Sequence, residues 1–404
     1  MLQRMEPVSL YIHIPFCSSR CNYCDFNTVA GMETFIPPYI QALCKEAHAI
    51  SNITGTKVPI HTIYLGGGTP SLLPADQFEM LMQTIRACFQ VLPEAEITLE
   101  ANPGTLSYQK TAFLFRLGFN RISIGMQSAS DHELALLGRR HSFADVQRAV
   151  VEARKAGFQN LSLDLIYGLP KQTLDAWKEN LQAAVNLKPD HLSLYSLTIE
   201  KGTPFNKWIE TGLIQPPDDD LAADMLEWAM DWLKLAGYRH YEISNWACSD
   251  DSENLKACRH NLQYWRNLPY IGLGAGAHGY FNHWRTANAL SPIEYIQRME
   301  SYDGSAYHPE NMPSVQEKIW INPQAEIEET MMVGLRLVEE GISRNIFQSR
   351  FGLTIEEAYP GVLQKLIKQG LVETVESGDI LRLSRKGIMV GNQVFMQFLD
   401  HDHG

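Results

Sequence analysis

The sequence has little cysteine, few basic residues and no long apolar run. Seven cysteines in 404 residues are too few for a disulfide framework, which favours a reducing, cytoplasmic setting. The 34 Lys and Arg residues are outnumbered by 46 Asp and Glu, and the net charge of −12 argues against a broad nucleic-acid-binding surface. Neither a signal-like apolar core nor a run of about 18 apolar residues is present, so only peripheral membrane contact stays open.

The cysteines that are present are concentrated near one end of the chain. Cys17, Cys21 and Cys24 follow the apolar stretch 8–16, and no fourth cysteine closes the set. Thiolates this close together can converge on one inorganic centre. A closed zinc site takes four ligands, and so does a fully ligated iron–sulfur cluster. Three thiolates on a four-iron cluster would leave one iron open. Zinc with His13 as its fourth ligand and plain buried cysteines are the alternatives at this point.

Strand-like and helix-like segments alternate through the first 250 residues. The strand-like segments are short, rich in Ile, Leu, Val or Tyr, and bounded by Gly, Pro or Asn. They are Ser9–Phe16, His61–Gly67, Glu96–Asn102, Arg121–Gln127, Leu161–Tyr167 and His191–Ile199. Amphipathic stretches lie between them, including Ala75–Val91, Ala144–Ala156 and Thr173–Asn186. This alternation predicts an α/β fold with right-handed βα units and a parallel sheet, as in a partial (β/α)6 version of the TIM barrel.

Polar residues stand where the predicted strands end, the edge at which such barrels carry their function. Cys17 begins the loop after the first strand, Gly66–Pro70 follows the second, and Glu100, Gln127 and Asp164 lie on the next three. The N–H groups of a glycine turn can bind a carboxylate or phosphate, although a glycine triplet alone indicates only a tight turn. Asp164 lies on an apolar strand, so a partner is expected for its carboxylate.

The remainder of the chain predicts two further segments after a core at 1–246. Residues 247–310 look irregular and aromatic-rich, after one more strand at His240–Trp246. Residues 311–404 predict a C-terminal α+β module that is winged-helix-like. Its elements are helices at Glu328–Glu340 and Glu357–Gln369, followed by a hairpin of Leu371–Val375 and Ile380–Leu383. The acidic chain favours packing or partner binding over DNA binding for this module. Gly272–His278 lacks the GxGxxG spacing of a dinucleotide site.

Together these motifs resemble the radical S-adenosylmethionine (SAM) superfamily. The spacing Cys17-x3-Cys21-x2-Cys24 and the triplet Gly66-Gly67-Gly68 carry the resemblance, and Tyr11-x-His13-x-Pro15 with Asp164–Pro170 narrow it to the coproporphyrinogen-oxidase-like branch. The resemblance implies a 4Fe–4S cluster on the three cysteines and SAM on its fourth iron. It also implies SAM contacts or cluster neighbours at Tyr11, Tyr23, Gly67, Gly68, Thr69, Glu100, Gln127, Arg139 and Asp164. Without the resemblance, a surface charge beside Arg140 is the alternative interpretation of Arg139.

Two further features separate members of that branch. Phe26 stands where the coproporphyrinogen-oxidising members have another cysteine, and His260-Asn261-x-x-Tyr264-Trp265 is similar to the motif of the HemW-like heme chaperones. This resemblance implies heme binding at His260 and delivery of heme to an acceptor protein, without coproporphyrinogen oxidase activity. His240, Cys258, His278 and His283 could equally supply the heme ligand, and His260 could be structural. The alternative function is a radical SAM enzyme such as an oxygen-independent coproporphyrinogen III oxidase.

Overall fold

The structure is a computed structural model that describes residues 6–51, 57–249, 255–303 and 308–399. Its strands are β1 Val8–Ile14, β2 Phe16–Cys17, β3 Val29–Ala30, β4 Pro59–Gly67, β5 Gln90–Ala101, β6 Arg121–Gln127, β7 Leu161–Tyr167, β8 His191–Ser196, β9 Arg239–Glu242, β10 Asn245–Ala247, β11 Tyr270–Leu273, β12 His278–Phe281, β13 Trp284–Asn288, β14 Val315–Trp320, β15 Ile342–Ser343, β16 Val372–Val375 and β17 Ile380–Leu383.

The helices alternate with these strands along the chain. They are α1 Ile36–Ser51, α2 Ala75–Cys88, α3 Tyr108–Arg116, α4 Asp131–Leu136, α5 Phe143–Ala156, α6 Leu174–Asn186, α7 Pro204–Glu210, α8 Asp219–Leu235, α9 Arg259–Trp265, α10 Pro292–Glu300, α11 Pro323–Gly334, α12 Arg344–Phe351, α13 Ile355–Ala358, α14 Val362–Lys368, α15 Arg385–Met389 and α16 Gly391–Phe395. None of the helices within the described ranges is long and apolar enough to cross a membrane.

The first of two compact units comprises Met1–Trp232 and Pro269–Ile319. In it β1 and β4 to β8 lie side by side in chain order, and every neighbouring pair is parallel. Helices α1, α2, α3, α5 and α6 are the main connections between them. The predicted (β/α)6 arrangement of a partial TIM-like barrel is therefore confirmed.

The local sequence explains why the strands and helices of the (β/α)6 arrangement form. Leu161, Leu163 and Leu165 on one face of β7 and Ser162 and Ile166 on the other are buried, as expected for a parallel strand covered on both faces. Helix α5 starts with a capping box, in which the Ser142 and Asp145 side chains each accept a backbone N–H of the first turn. It ends at Gly157, whose φ of 113° suits glycine at a helix end.

The region 247–300 is more regular than the sequence indicates. Strand β11 pairs in parallel with β1, and β12 and β13 continue the sheet as antiparallel neighbours. Strand β11 has only four residues, and its partner strand lies about 260 positions earlier in the chain, so no local pattern announces the pairing. Because of such pairings, the two compact units do not coincide with the predicted segments 1–246, 247–310 and 311–404.

The second unit comprises Leu233–Leu268 and Trp320–Gly404. Its order of α11, β15, three helices and a hairpin, with β17 between β15 and β16, suits the predicted winged-helix-like module. The hairpin prediction is confirmed, but the first predicted helix begins too late, because Asn322 caps α11 and Pro323 opens it. The predicted strand His240–Trp246 is wrong: β9 and β10 form an antiparallel pair that turns at residues 243–244.

Candidate functional site

The three site cysteines lie on one loop after the first strand. This loop is closed by β2 and β3, which pair in parallel with Cys17 opposite Ala30. In its middle, the Asn22 backbone N–H donates to the Leu137 carbonyl at 3.0 Å, and the Asn22 side chain donates to the Leu136 carbonyl at 2.9 Å. All three thiols are only partly buried. The fold therefore holds them together at the carboxyl-terminal end of the parallel sheet.

Two polar side chains contact the sulfur atoms directly. The Thr69 hydroxyl donates to Cys17 Sγ at 3.5 Å, and Arg139 Nη1 donates to Cys21 Sγ at 3.4 Å. Burial raises the pKa of the Cys17 thiol, and the neighbouring cysteines raise it further, whereas Thr69 and Arg139 lower it. Burial likewise raises the pKa of the Cys24 thiol. A bound cation would reverse this balance, because a coordinating thiol is deprotonated. The donor set therefore fits a metal centre.

His13, the proposed fourth ligand of the zinc alternative, has both ring nitrogens in hydrogen bonds within the protein. His13 Nε2 lies 2.8 Å from the Asn27 carbonyl oxygen, so this nitrogen carries the proton. Its Nδ1 accepts from the Tyr11 hydroxyl at 2.9 Å, and burial lowers the pKa of His13. Nowhere in the described ranges do three His, Cys, Asp or Glu side chains form a site for one metal ion. Three thiolates on a four-iron cluster bind different irons and do not need to meet at one point, so a cluster fits better.

The glycine turn packs against the exit of the first strand. Gly67 has a φ of 111°, and a Cβ there would lie 2.4 Å from the His13 ring. A Cβ on Gly68 would lie 2.8 Å from backbone atoms of Pro15 and Phe16. The N–H groups of Gly67, Gly68 and Thr69 all donate within the protein. The Gly67 N–H thus binds a carboxylate of the protein itself, that of Glu100, whereas the N–H groups of Gly68 and Thr69 donate to backbone carbonyls, as in a tight turn.

Glu100 is held beside this turn by two donors. Its carboxylate accepts from the Tyr64 hydroxyl at 2.7 Å and from the Gly67 N–H at 3.1 Å. Burial raises the pKa of Glu100 to about 7, and the charge of Asp164 contributes to the shift. Tyr64 also stacks on Tyr11, with ring centroids 6.3 Å apart. Tyr11, Gly67 and Glu100 therefore belong to one contact group.

Arg139 connects the cysteine loop to the end of β6. Its Nη2 donates to the Gly125 carbonyl at 2.9 Å, and a Cβ on Gly125 would collide with both Arg139 and the Gln127 side chain. Gln127 itself has a φ of 63°, a left-handed conformation that is unusual for glutamine and is typical of functional sites. The Arg139 Nε atom is buried without a hydrogen-bond partner. Tyr23 lies near Arg139 and Cys21, and burial raises the pKa of its phenol. Arg139 is thus half-buried beside Cys21 and is not a surface charge.

Asp164 has the partners that its buried position requires. The Ser123 hydroxyl lies 3.0 Å and 2.9 Å from its two carboxylate oxygens, and Ser162 lies 3.4 Å from one of them. Burial raises the pKa of Asp164, whereas Ser193 and Ser123 lower it by hydrogen bonding. These serines are not among the residues predicted for the site. Their signal is a polar residue at matching positions of β6, β7 and β8, paired as Ser123 with Ser162 and Asp164 with Ser193.

His260 lies in the second unit, on α9. Its side chain is buried, and its Nε2 lies 2.8 Å from the Tyr264 hydroxyl, with the two rings edge to face. Of the alternative ligands, His240 is partly buried and stacks on Trp246 with centroids 4.0 Å apart, and Cys258 is buried at the N-cap position of α9. Burial lowers the pKa of His240 to about 4. The two remaining alternatives, His278 and His283, are exposed.

A parallel (β/α)6 unit with three thiols on the loop after its first strand defines a radical SAM protein. The family model described as Radical SAM superfamily matches residues 11–184 of the chain. The family model described as HemN C-terminal domain matches residues 321–390. The heme chaperone HemW of Bacillus subtilis (strain 168) is 36% identical over 393 residues, which cover 97% of this chain and 99% of that protein. The chain belongs to the HemW family.

Two further comparisons concern the sequence and the fold in turn. The heme chaperone HemW of Escherichia coli (strain K12) is 42% identical over 281 residues, covering 68% of this chain and 71% of that protein. The solved structure of coproporphyrinogen III oxidase (HemN) from Escherichia coli superposes with a TM-score of 0.82 at 23% identity, covering 98% of this chain and 90% of that one. The similarity to the HemN structure shows that the two proteins share a fold.

Proposed function

We propose that this protein is a heme chaperone that carries a 4Fe–4S cluster on Cys17, Cys21 and Cys24, binds exchangeable SAM beside it, and passes heme to an acceptor protein. The observation that carries the proposal is the thiol loop itself, with Thr69 and Arg139 donating to its sulfur atoms, in a chain of the HemW family. When bound, such a cluster supplies an electron-transfer centre and one iron open to a further ligand.

The chain's own residues suit a cationic, polar ligand next to the cluster. Glu100 and Asp164 are partly buried carboxyls that can accept hydrogen bonds from an ammonium group or from ribose hydroxyls. Arg139 can pair with a carboxylate, because its Nε–H has no hydrogen-bond acceptor within the protein. Tyr11, Tyr23, Gly67, Gly68, Thr69 and Gln127 complete the proposed surroundings of the cluster and SAM.

For heme we keep His260 as the proposed axial ligand. Heme iron takes an axial His, Cys, Met or Tyr. His260 can bind heme iron through Nε2 only if this nitrogen leaves the hydroxyl of Tyr264, so ligation by that atom would open the pair. The exposed His278 and His283 are the competing ligands.

The test is anaerobic reconstitution with iron and sulfide, followed by hemin titration with and without SAM. The parent is expected to bind a 4Fe–4S cluster and to develop a heme absorbance band. Cys21→Ala is expected to lose the cluster, whereas Cys248→Ala, a cysteine outside the loop, keeps it. His260→Ala is expected to weaken the heme band, while His132→Ala leaves it unchanged.

Each part of the proposal can fail separately. Zinc without iron or sulfide would overturn the cluster. Hemin binding that is unchanged in His260→Ala but lost in His278→Ala or His283→Ala would move the axial ligand. Conversion of coproporphyrinogen III by the reduced protein with SAM would identify an enzyme and overturn the chaperone function.

A further inference from the structure

The glycine-rich stretch Gly272–His278 has no role in the site described above, yet it touches the cysteine loop. Asn27 follows the last cysteine by three residues, and its Nδ2 donates to the Ala275 carbonyl at 3.1 Å and to the Leu290 carbonyl at 2.9 Å. We call these two hydrogen bonds the Asn27 bridge. The first joins the end of the cysteine loop to a turn that lies 248 residues away in the chain, and the second joins it to Leu290, just after β13.

The turn that receives Asn27 is shaped for close contact. Gly276 has a φ of 72°, and a Cβ there would lie 2.3 Å from Asn27 Nδ2. Gly274 has a φ of 100°, and its Cβ would lie 2.6 Å from the Tyr39 hydroxyl and 2.7 Å from the His13 carbonyl oxygen. Both glycines are therefore required by a left-handed backbone and by the absence of space for a side chain.

A buried carboxylate holds the turn in place. Glu46 on α1 accepts from the Gly274 N–H and from Asn288 Nδ2, each at 2.9 Å. It also accepts from the hydroxyls of Tyr295 at 2.6 Å and Ser314 at 2.5 Å. Four donors on one fully buried carboxyl group make a rigid junction, because losing any of them would leave a buried polar atom without a partner.

The same junction also contacts the first strand, β1, which in turn holds the backbone of Asn27. The Tyr39 hydroxyl accepts from the Ala275 N–H and donates to the His13 carbonyl, each at 2.8 Å. The His13 ring in turn donates to the Asn27 carbonyl at 2.8 Å. Asn27 is thus held through its carbonyl by β1 and through its side chain by the Gly274–Gly276 turn.

We propose that Asn27 is a positioning residue for the cluster, and that the Gly274–Gly276 turn, held by Glu46, sets the geometry of the cysteine loop through the Asn27 bridge. This rests on the proposed function, since the cluster is what the loop would hold. Asn27 does not contact the metal in this scheme. It acts by limiting the conformations open to Cys17, Cys21 and Cys24.

Two variants break the bridge from opposite sides, and each has a matched control. Asn27→Ala removes both hydrogen bonds. Its control is Asn120→Ala. The Asn120 side chain also hydrogen-bonds two backbone groups, those of Ile97 and Ala95, but it precedes β6 and does not join the cysteine loop to the Gly274–Gly276 turn. Gly276→Ala pushes a methyl group against Asn27. Its control is Gly212→Ala, which has the same φ of 72° and open space around it.

The first measurement is hydrogen exchange of residues 17–28 in the cluster-free protein. Both bridge variants are expected to speed exchange there about tenfold, the effect of losing one to two net hydrogen bonds, while both controls leave it unchanged. The second is the electron paramagnetic resonance spectrum of the reduced, reconstituted cluster. The bridge variants are expected to broaden or shift it and to lose iron faster to a chelator, whereas the controls match the parent.

The outcomes separate the two proposals. A parent that takes up no cluster overturns the proposed function, and the exchange measurement still decides whether Asn27 orders the loop. Parental exchange in the bridge variants overturns the bridge. Faster exchange with an unchanged spectrum and unchanged iron loss also overturns it, because Asn27 would then be structural only. If Asn27→Ala does not fold, Gly276→Ala with its control decides.

Discussion

The carboxyl group of Glu100 makes stability depend on pH in a predictable direction. Its pKa in the folded protein is raised by burial to about 7, above the value of an exposed glutamate. The folded state therefore holds this proton more tightly than the unfolded state does. The contribution of Glu100 to stability is fully present below about pH 4 and is lost as pH rises through about 7.

Glu100→Gln tests this sign. Glutamine stays neutral, so the free energy of unfolding of the parent should fall relative to the variant by up to about 1.4 kcal/mol per pH unit between about pH 4.5 and 7. The measurement is denaturant unfolding across this range without SAM. Glu79→Gln, an exposed carboxyl on α2, is the control. A difference between parent and Glu100→Gln that does not change with pH would contradict the prediction.

At the scale of one element, the turn after β4 depends on two different properties of glycine. Gly67 needs a positive φ and also leaves the space that the His13 ring fills. Gly31 has a φ of 73° but no atoms within 4 Å of a Cβ, so it needs the conformation alone. The two positions therefore separate backbone strain from steric collision.

Gly67→Ala should destabilise the protein more than Gly31→Ala. The strained backbone alone costs about 1 kcal/mol, which is the expectation for Gly31→Ala. The collision with His13 adds about 2 kcal/mol at Gly67, as overpacking does in a core. Thermal and denaturant unfolding of both variants measure the difference. Equal losses would mean that the His13 ring moves aside without cost.

At the scale of the whole molecule, what could be predicted depended on how far apart the contacting residues are in the chain. The six βα units repeat a local pattern, so β6 and β7 match their predicted bounds residue for residue. The pairing of Leu10 with Ile271 has no such signal. In the sequence, Glu46 looks like one charge on an amphipathic helix. Its buried carboxylate is stabilised by four donors that are distant in the chain, and no local pattern announces them. The cysteines were predicted from spacing, whereas Asn27 was not.

The second unit shows the same dependence on distant segments. Its apolar core is built mainly from residues 327–398, but α9 comes from residues 259–265. Arg336 lies over the Trp265 ring at 4.4 Å, and Arg266 pairs with Glu340 at 2.7 Å. The motif that carries His260 is therefore held in part by residues that follow it by about 70 positions.

Removal of residues 320–404 should consequently loosen α9 while the parallel sheet survives. In a chain that ends at residue 319, exchange of the amides of 259–265 is expected to become faster, because this seven-residue helix loses its contacts with Arg336 and Glu340 and keeps the packing of Leu262 on Tyr241, Ala247 and Ala257. The amides of 121–127 and 161–167 in the same sample are the internal control and should stay protected, since their partners lie within the first unit. Protection of 259–265 that matches the full chain would show that α9 does not need the C-terminal module. Loss of protection in β6 and β7 as well would show that the two units fold only together.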